Sequence, residues 1–148
     1  GVRCAALLAL ARVANGGDDQ VVAAVTANAA DEDERIRFAA IQTLGLVASR
    51  NDPGALAVVV PRLEDVSRTI RCAAVQALAQ LANAGDDQIM AAMAPLLEDE
   101  DEEVRCTVLQ ALAALAEAGD ERLMKASTAK LQDPDPNVRR VAEQALGR

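Results

Sequence analysis

Five arginines recur at a single spacing: Arg3, Arg37, Arg71, Arg105 and Arg139 stand 34 residues apart. A guanidinium is a planar fork that pairs bidentately with carboxylates and phosphates, so such a row could grip an acidic ligand. A row of aspartates keeps the same period, at Asp31, Asp65, Asp99 and Asp133. Residues that recur together in every unit serve what every unit shares, which is packing; ligand gripping is the rival reading. The densest charge is Glu98-Asp99-Glu100-Asp101-Glu102-Glu103, with Asp31-Glu32-Asp33-Glu34 as its smaller relative. Calcium loops use spaced acids around a central glycine, and neither run has that form. Acids at a helix start complement its dipole, so both read as solvated turns, with weak divalent binding or a basic partner as the alternative.

Other chemistry finds little to work with. Cys4, Cys72 and Cys106 share one repeat column, where Phe38 and Arg140 are the other occupants. Equivalent positions in stacked neighbours lie about 8–10 Å apart, and a disulfide needs Cα atoms within roughly 7 Å. All three therefore read as thiols, which fits an intracellular, reducing compartment. The chain has no histidine, which removes the base for a cysteine nucleophile or a hydrolytic triad. Cysteines 34 or 68 residues apart give no zinc-chelating pair, and no Gly-rich phosphate loop occurs. The sequence reads as a non-enzyme needing no cofactor. A net charge of −8 argues against nucleic acid, and no apolar run approaches the ~20 residues of a membrane span. The chain opens inside a repeat, at Gly1-Val2-Arg3, and so reads as an excised piece.

The elements that position these rows follow from the same period. Each arginine follows Val or Ile (Val2, Ile36, Ile70, Val104, Val138) and precedes a leucine by seven residues (Leu10, Leu44, Leu78, Leu112, Leu146). In residues 68–101, apolar side chains at Ile70, Ala74, Leu78 and Leu81 fall in steps of three and four, one face of a helix. Ser67 precedes it, as Asp33, Asp101 and Asp135 precede its equivalents, and all four are good N-cap residues. Pro136 suits the N1 site, where no N–H is needed. This helix A runs out near Asn83-Ala84-Gly85, a left-handed turn signal. A second cap column, Asp18, Asp52, Asp86 and Asp120, opens a helix B that ends at the Asp31, Asp65, Asp99 and Asp133 column.

Hydrophobic residues make up 51% of the 148 and aromatics only 1%, so the interior must be Ala, Leu, Val and Ile. Neither helix pair can bury its apolar stripe alone, so neighbours must stack. The expected fold is all-α: a right-handed α-solenoid of antiparallel helix pairs, one domain over residues 1–148. Its units are 1–33, 34–67, 68–101 and 102–135, with a partial unit 136–148. Pro61 and Pro95 fall in the second half of helix B and should kink it.

The tetratricopeptide family shares this period but relies on bulky aromatic columns that are missing here. The runs Ile36-Arg37-Phe38-Ala39-Ala40, Ile70-Arg71-Cys72-Ala73-Ala74 and Val138-Arg139-Arg140-Val141-Ala142 resemble HEAT repeats, most closely the short type of the phycobilisome-lyase branch. Units of that branch are commonly shorter, so the turn over Leu81-Ala82-Asn83-Ala84-Gly85 is a departure. The HEAT resemblance implies a hydrogen-bonded ladder in which Asp31, Asp65, Asp99 and Asp133 pair with Arg37, Arg71, Arg105 and Arg139. The lyase branch would imply handling of a linear tetrapyrrole.

The outward face of helix B is the expected functional surface. It comprises Ala24 and Asn28, then Val58 and Arg62, then Ala92 and Leu96, and finally Lys130, with small neighbours such as Ala27 and Ala129. A mostly apolar strip there suits a protein partner or an amphipathic helix. Small residues would equally let neighbouring units curve together. Glu143 and Arg140 replace apolar or thiol residues in the last unit and read as a solubilising cap. The first unit shows no such change, so its edge should pack against further repeats or a larger assembly.

Overall fold

The computed structural model describes residues 1–13 and 18–147, and among these every regular element is helical. Arg148, the end of the partial unit, lies outside the described residues. Helix A of the successive repeats is α1 (Val2–Val13), α3 (Glu34–Val47), α5 (Arg68–Leu81), α7 (Glu102–Leu115) and α9 (Pro136–Leu146). Helix B is α2 (Asp19–Thr26), α4 (Pro53–Val59), α6 (Asp87–Met93) and α8 (Glu121–Lys130). The chain forms two compact units, Gly1–Ala82 and Asn83–Arg148.

In the first unit α3 packs between α1 and α5, while α2 and α4 lie against them as a second layer. Ile41, Leu44, Ile70 and Leu78 are fully buried, each adding about 1.5–3 kcal/mol. Gly45 permits the close approach of α3 to α5, since a Cβ there would stand 3.1 Å from the Ala77 Cα. The Thr43 hydroxyl, also buried, donates to the Leu7 carbonyl of α1 at 3.2 Å. Along α1, Val2 and Val13 are 88% and 81% exposed, whereas Ile36 and Val47 at the same repeat positions of α3 are buried. In the second unit α9 rests on α7 and α8, and α6 on α7. Its core is Val104, Val108, Leu109, Val138 and Ala142.

Asp18, Asp52, Asp86 and Asp120 each accept first-turn N–H groups at the start of helix B. Asp33, Asp101 and Asp135 do the same for helix A. Ser67 differs: it occupies the cap position of α5 without a side-chain cap bond. Its hydroxyl donates instead to the Glu34 carboxylate one repeat earlier. The expected left-handed turn sits four residues past the end of α5, at Gly85 with φ 71°. Asn51 (φ 57°) and Gly119 (φ 79°) hold the same repeat position, and asparagine is the side chain that best tolerates it. This conformation aims the amide at the following helix A: Asn51 N–H donates to the Leu81 carbonyl at 2.8 Å, and Gly85 N–H to that of Leu115 at 2.7 Å.

The prolines act as expected, and in a specific form. After Val59 and Met93 the α-helix gives way to 3₁₀ segments, Val60–Glu64 and Ala94–Glu98. Pro61 and Pro95 lack the N–H that would bond four residues back, and their rings crowd that carbonyl, so the chain tightens. Helix α8, which has no proline, stays α-helical over 10 residues. Cys4, Cys72 and Cys106 are thiols, and burial pushes the Cys106 thiol above its ordinary range.

Candidate functional site

The arginine and aspartate rows meet in the turns from helix B to helix A: the expected partners bond through the aspartate main chain, while the carboxylates of Asp65 and Asp133 serve the arginine of the preceding repeat. Each aspartate first closes its own turn: Asp31, Asp65, Asp99 and Asp133 accept the N–H two residues on, at 2.9–3.0 Å. Each arginine then reaches back to main-chain carbonyls of that turn. Arg37 Nη1 donates to Asp31 O, Arg71 to Asp65 O, Arg105 to Asp99 O and Arg139 to Asp133 O, at 2.6–3.0 Å. Arg37 and Arg105 turn the rest of the guanidinium to the aspartate of the next repeat. Arg37 Nε lies 3.2 Å from Asp65, and Arg105 Nε and Nη2 donate to Asp133 at 3.0 and 2.9 Å. For Arg37 and Arg105 the carboxylate partner is therefore one repeat further on: Asp65 and Asp133 each offer their own arginine a carbonyl and the preceding repeat's arginine a carboxylate.

Burial sets the strength of these pairs. Arg105 and Asp133 are 9% and 6% exposed. Burial is the largest influence on the Asp133 carboxyl and pushes it up, but the hydrogen bonds from Arg105 and the Asp135 N–H, with the charges of Arg105 and Lys130, outweigh it. The carboxyl consequently sits below its ordinary range, and Arg105 is raised by its bond to Asp133 against the cost of burial. At the first repeat Arg3 lies 3.8 Å from Asp31 and is 75% exposed, a far looser contact.

The helix-B strip divides in two. Ala24 is exposed on α2, while Val58 on α4, Ala92 on α6 and Leu96 in the second 3₁₀ segment are half-buried. Asn28 bonds back to the Ala24 carbonyl at 2.9 Å. The two cations leave the strip for the ladder. Arg62 Nη1 lies 3.6 Å from Asp65, and Lys130 Nζ bonds Glu98 at 2.7 Å and lies 3.9 Å from Asp133. Both stand three residues before a ladder aspartate, one helical turn back, which is the spacing at which side chains meet. Lys130 is only 8% exposed, so a strip of small and apolar residues is what remains.

Three features escaped the sequence reading. A groove of about 420 Å³ lies on the helix-B side of the second unit, lined by Met90, Pro95, Leu97, Leu112, Leu123 and Ala126 among others. A hollow of about 320 Å³ lies on the helix-A side of the first unit, by Cys4, Leu8, Phe38 and Thr69. Ser127 is fully buried in the column of Val25, Val59 and Met93, and its hydroxyl has no hydrogen-bond partner. The break in that apolar column was the one available signal. Among the described residues no cluster of His, Cys, Asp or Glu could hold a metal, and no helix is long and apolar enough to cross a membrane.

A family model described as HEAT repeats matches residues 1–79 and 57–147. No curated protein matches the chain. A designed armadillo repeat protein, solved in complex with peptide (KR)4, is 21% identical with a TM-score of 0.74, covering 97% of this chain and 74% of its own. An engineered protein is 23% identical with a TM-score of 0.66, covering 99% and 74%. The archaeal HEAT-like repeats protein from Thermococcus onnurineus NA1 is 19% identical with a TM-score of 0.57, covering 97% and 59%. At such identities the likeness is one of fold: an all-helical repeat solenoid.

Proposed function

The chain belongs to the HEAT repeat family, and from that premise we propose a non-catalytic scaffold that binds a protein partner on its helix-B surface. One observation carries the reading: the recurring charged residues are spent on the turns, while helix B keeps a strip of small and apolar side chains. The designed armadillo relative of the same fold class, in complex with a peptide, supports that use of such a surface. The exposed Val2 and Val13 of α1 support a further contact at that edge, with other repeats or a larger assembly. The thiol state of the cysteines fits a reducing compartment.

The test is cross-linked capture of a partner by the wild type, compared with Val58→Asp and Leu96→Asp. Both sites are half-buried and on the strip; loss of one specific partner supports the surface, and unchanged capture removes it. A tetrapyrrole-handling role, implied by the lyase-type resemblance alone, is separated by titrating the protein with a linear tetrapyrrole. A shift in the pigment's absorbance would displace the scaffold reading.

A further inference from the structure

The apolar face of α1 continues an interface that the first unit already contains. Val2, Ala5, Ala6, Ala9 and Val13 lie on one face of the helix, and all are exposed, the two valines by 88% and 81%. The same repeat positions of α5 are Ile70, Ala73, Ala74, Ala77 and Leu81, and there all are buried. The two faces match position by position: an aliphatic side chain at each end and alanines between. The cover of α5 is α3, close enough that a Cβ on Gly45 would stand 3.1 Å from the Ala77 Cα. In the same way α1 covers Ile36, Ala39, Thr43 and Val47 of α3, and α7 covers α9. Only α1 lacks its cover within the first unit.

The covering side is as regular as the covered one. It presents an aliphatic residue and, four positions on, a small one: Leu7 and Ala11 on α1, Ile41 and Gly45 on α3, Leu109 and Ala113 on α7. Leu109 and Ala113 share a recess with Val141 and Ala145 of α9, which places them at the contact. On α9 the same two positions read Glu143 and Gly147, with Arg140 beside them, and all three are exposed. A second copy of this chain therefore brings the wrong surface to α1. Its α9 would bury the Glu143 charge against alanine methyl groups, an unpaired desolvation. Its α1 would set Arg3 against Arg3 or Arg12, and the helix carries no acid to balance them.

We propose that α1 docks helix A of a HEAT-type repeat in a partner protein, through a face with Leu, Ile or Val followed four residues later by Gly or Ala. The proposal rests on the scaffold reading and names the chemistry of the contact at the α1 edge. Close approach of the two helices over alanine supplies the packing, and the valines at either end of α1 seal it. The two outer helices then have opposite tasks: α1 receives a neighbour, and the charges of α9 turn one away.

The probe is the full chain with three substitutions. Arg140→Ala and Glu143→Leu give its α9 the covering face, and Ala9→Glu closes its α1 so that it cannot pair with itself. Labelled probe is titrated with the wild type and followed by fluorescence anisotropy and sedimentation. The expected result is saturable one-to-one binding, while the wild type alone stays monomeric. Putting Ala9→Glu or Ala5→Gln into the titrated chain should weaken binding about tenfold or more. A probe that keeps Arg140 and Glu143 should not bind. These sites are exposed and the new residues are good helix formers, so the variants should fold, which circular dichroism checks. No binding of the probe, equal binding by Ala9→Glu and Ala5→Gln, equal binding of the probe that keeps Glu143, or a wild type that dimerises alone overturns the proposal. Should the probe fail while Val58→Asp or Leu96→Asp still loses a captured partner, the scaffold stands and only the α1 contact is rejected.

Discussion

Replacing Asp133 with alanine removes the acceptor of two guanidinium bonds, at 3.0 and 2.9 Å, and of the Asp135 N–H that closes the turn. What stays behind is Arg105, 9% exposed, with one edge still bonded to main-chain carbonyls and the other facing nothing. Breaking a buried pair by deleting one partner costs about 3–5 kcal/mol, since the remaining charge stays desolvated. The same change at the other extreme, Arg3→Ala, deletes a 3.8 Å contact of a 75% exposed side chain, and exposed pairs contribute about 0–1 kcal/mol. Equilibrium urea unfolding followed by circular dichroism measures both. Adding Arg105→Met to Asp133→Ala should recover part of the loss, because the stranded charge goes with it. The acid limb supplies a second check. The Asp133 carboxyl lies below its ordinary range when folded, so its contribution is complete above the unfolded value of about 3.9. It disappears as pH falls through the lower folded value. Asp133→Asn should therefore flatten the acid limb below about pH 4. A loss under about 1 kcal/mol for Asp133→Ala would show that the ladder behaves as surface charge, and the burial argument would fail.

Asn51 holds φ 57°, so Asn51→Ala should cost about 1–2 kcal/mol while Asn51→Gly stays near neutral, read from denaturation midpoints. Ser127→Ala removes a buried hydroxyl that has no partner and should stabilise by about 1 kcal/mol; a fall in the melting temperature would mean the hydroxyl is satisfied. Pro95→Ala restores a main-chain donor within the 3₁₀ segment and should increase helical circular dichroism. No increase would assign the 3₁₀ geometry to packing rather than to the ring.

The helices and their starts were open to reading because they depend on nearby residues. The Val-Arg motif, the aspartate caps and the two prolines act within one or two turns, and each did what its chemistry dictates. Ser67 shows where that stops: its hydroxyl meets Glu34, 33 residues away, and a distant acceptor competes with the local cap. The ladder register shows it again. Arg37 stands six residues from Asp31 and 28 from Asp65; proximity along the chain favours the first, yet that carboxylate is turned to its own loop. Lys130 on the outward face was misleading for a related reason, since a long flexible stem bends inward when a buried carboxylate lies one turn away. The groove was beyond reach because it depends on the gap between two helices, which no single residue encodes.

The Arg37–Asp65 and Arg105–Asp133 bridges each span 28 residues, one within each compact unit. Within each unit the bridge joins an outgoing fork to a waiting acceptor of the next repeat, like the same coupling on two railway carriages. An excision of one whole period would bring a fork to an equivalent acceptor, whereas cutting half a period would leave two mismatched halves. Lengthening or shortening the array by duplication or deletion therefore needs no new chemistry at the seam, only the correct frame.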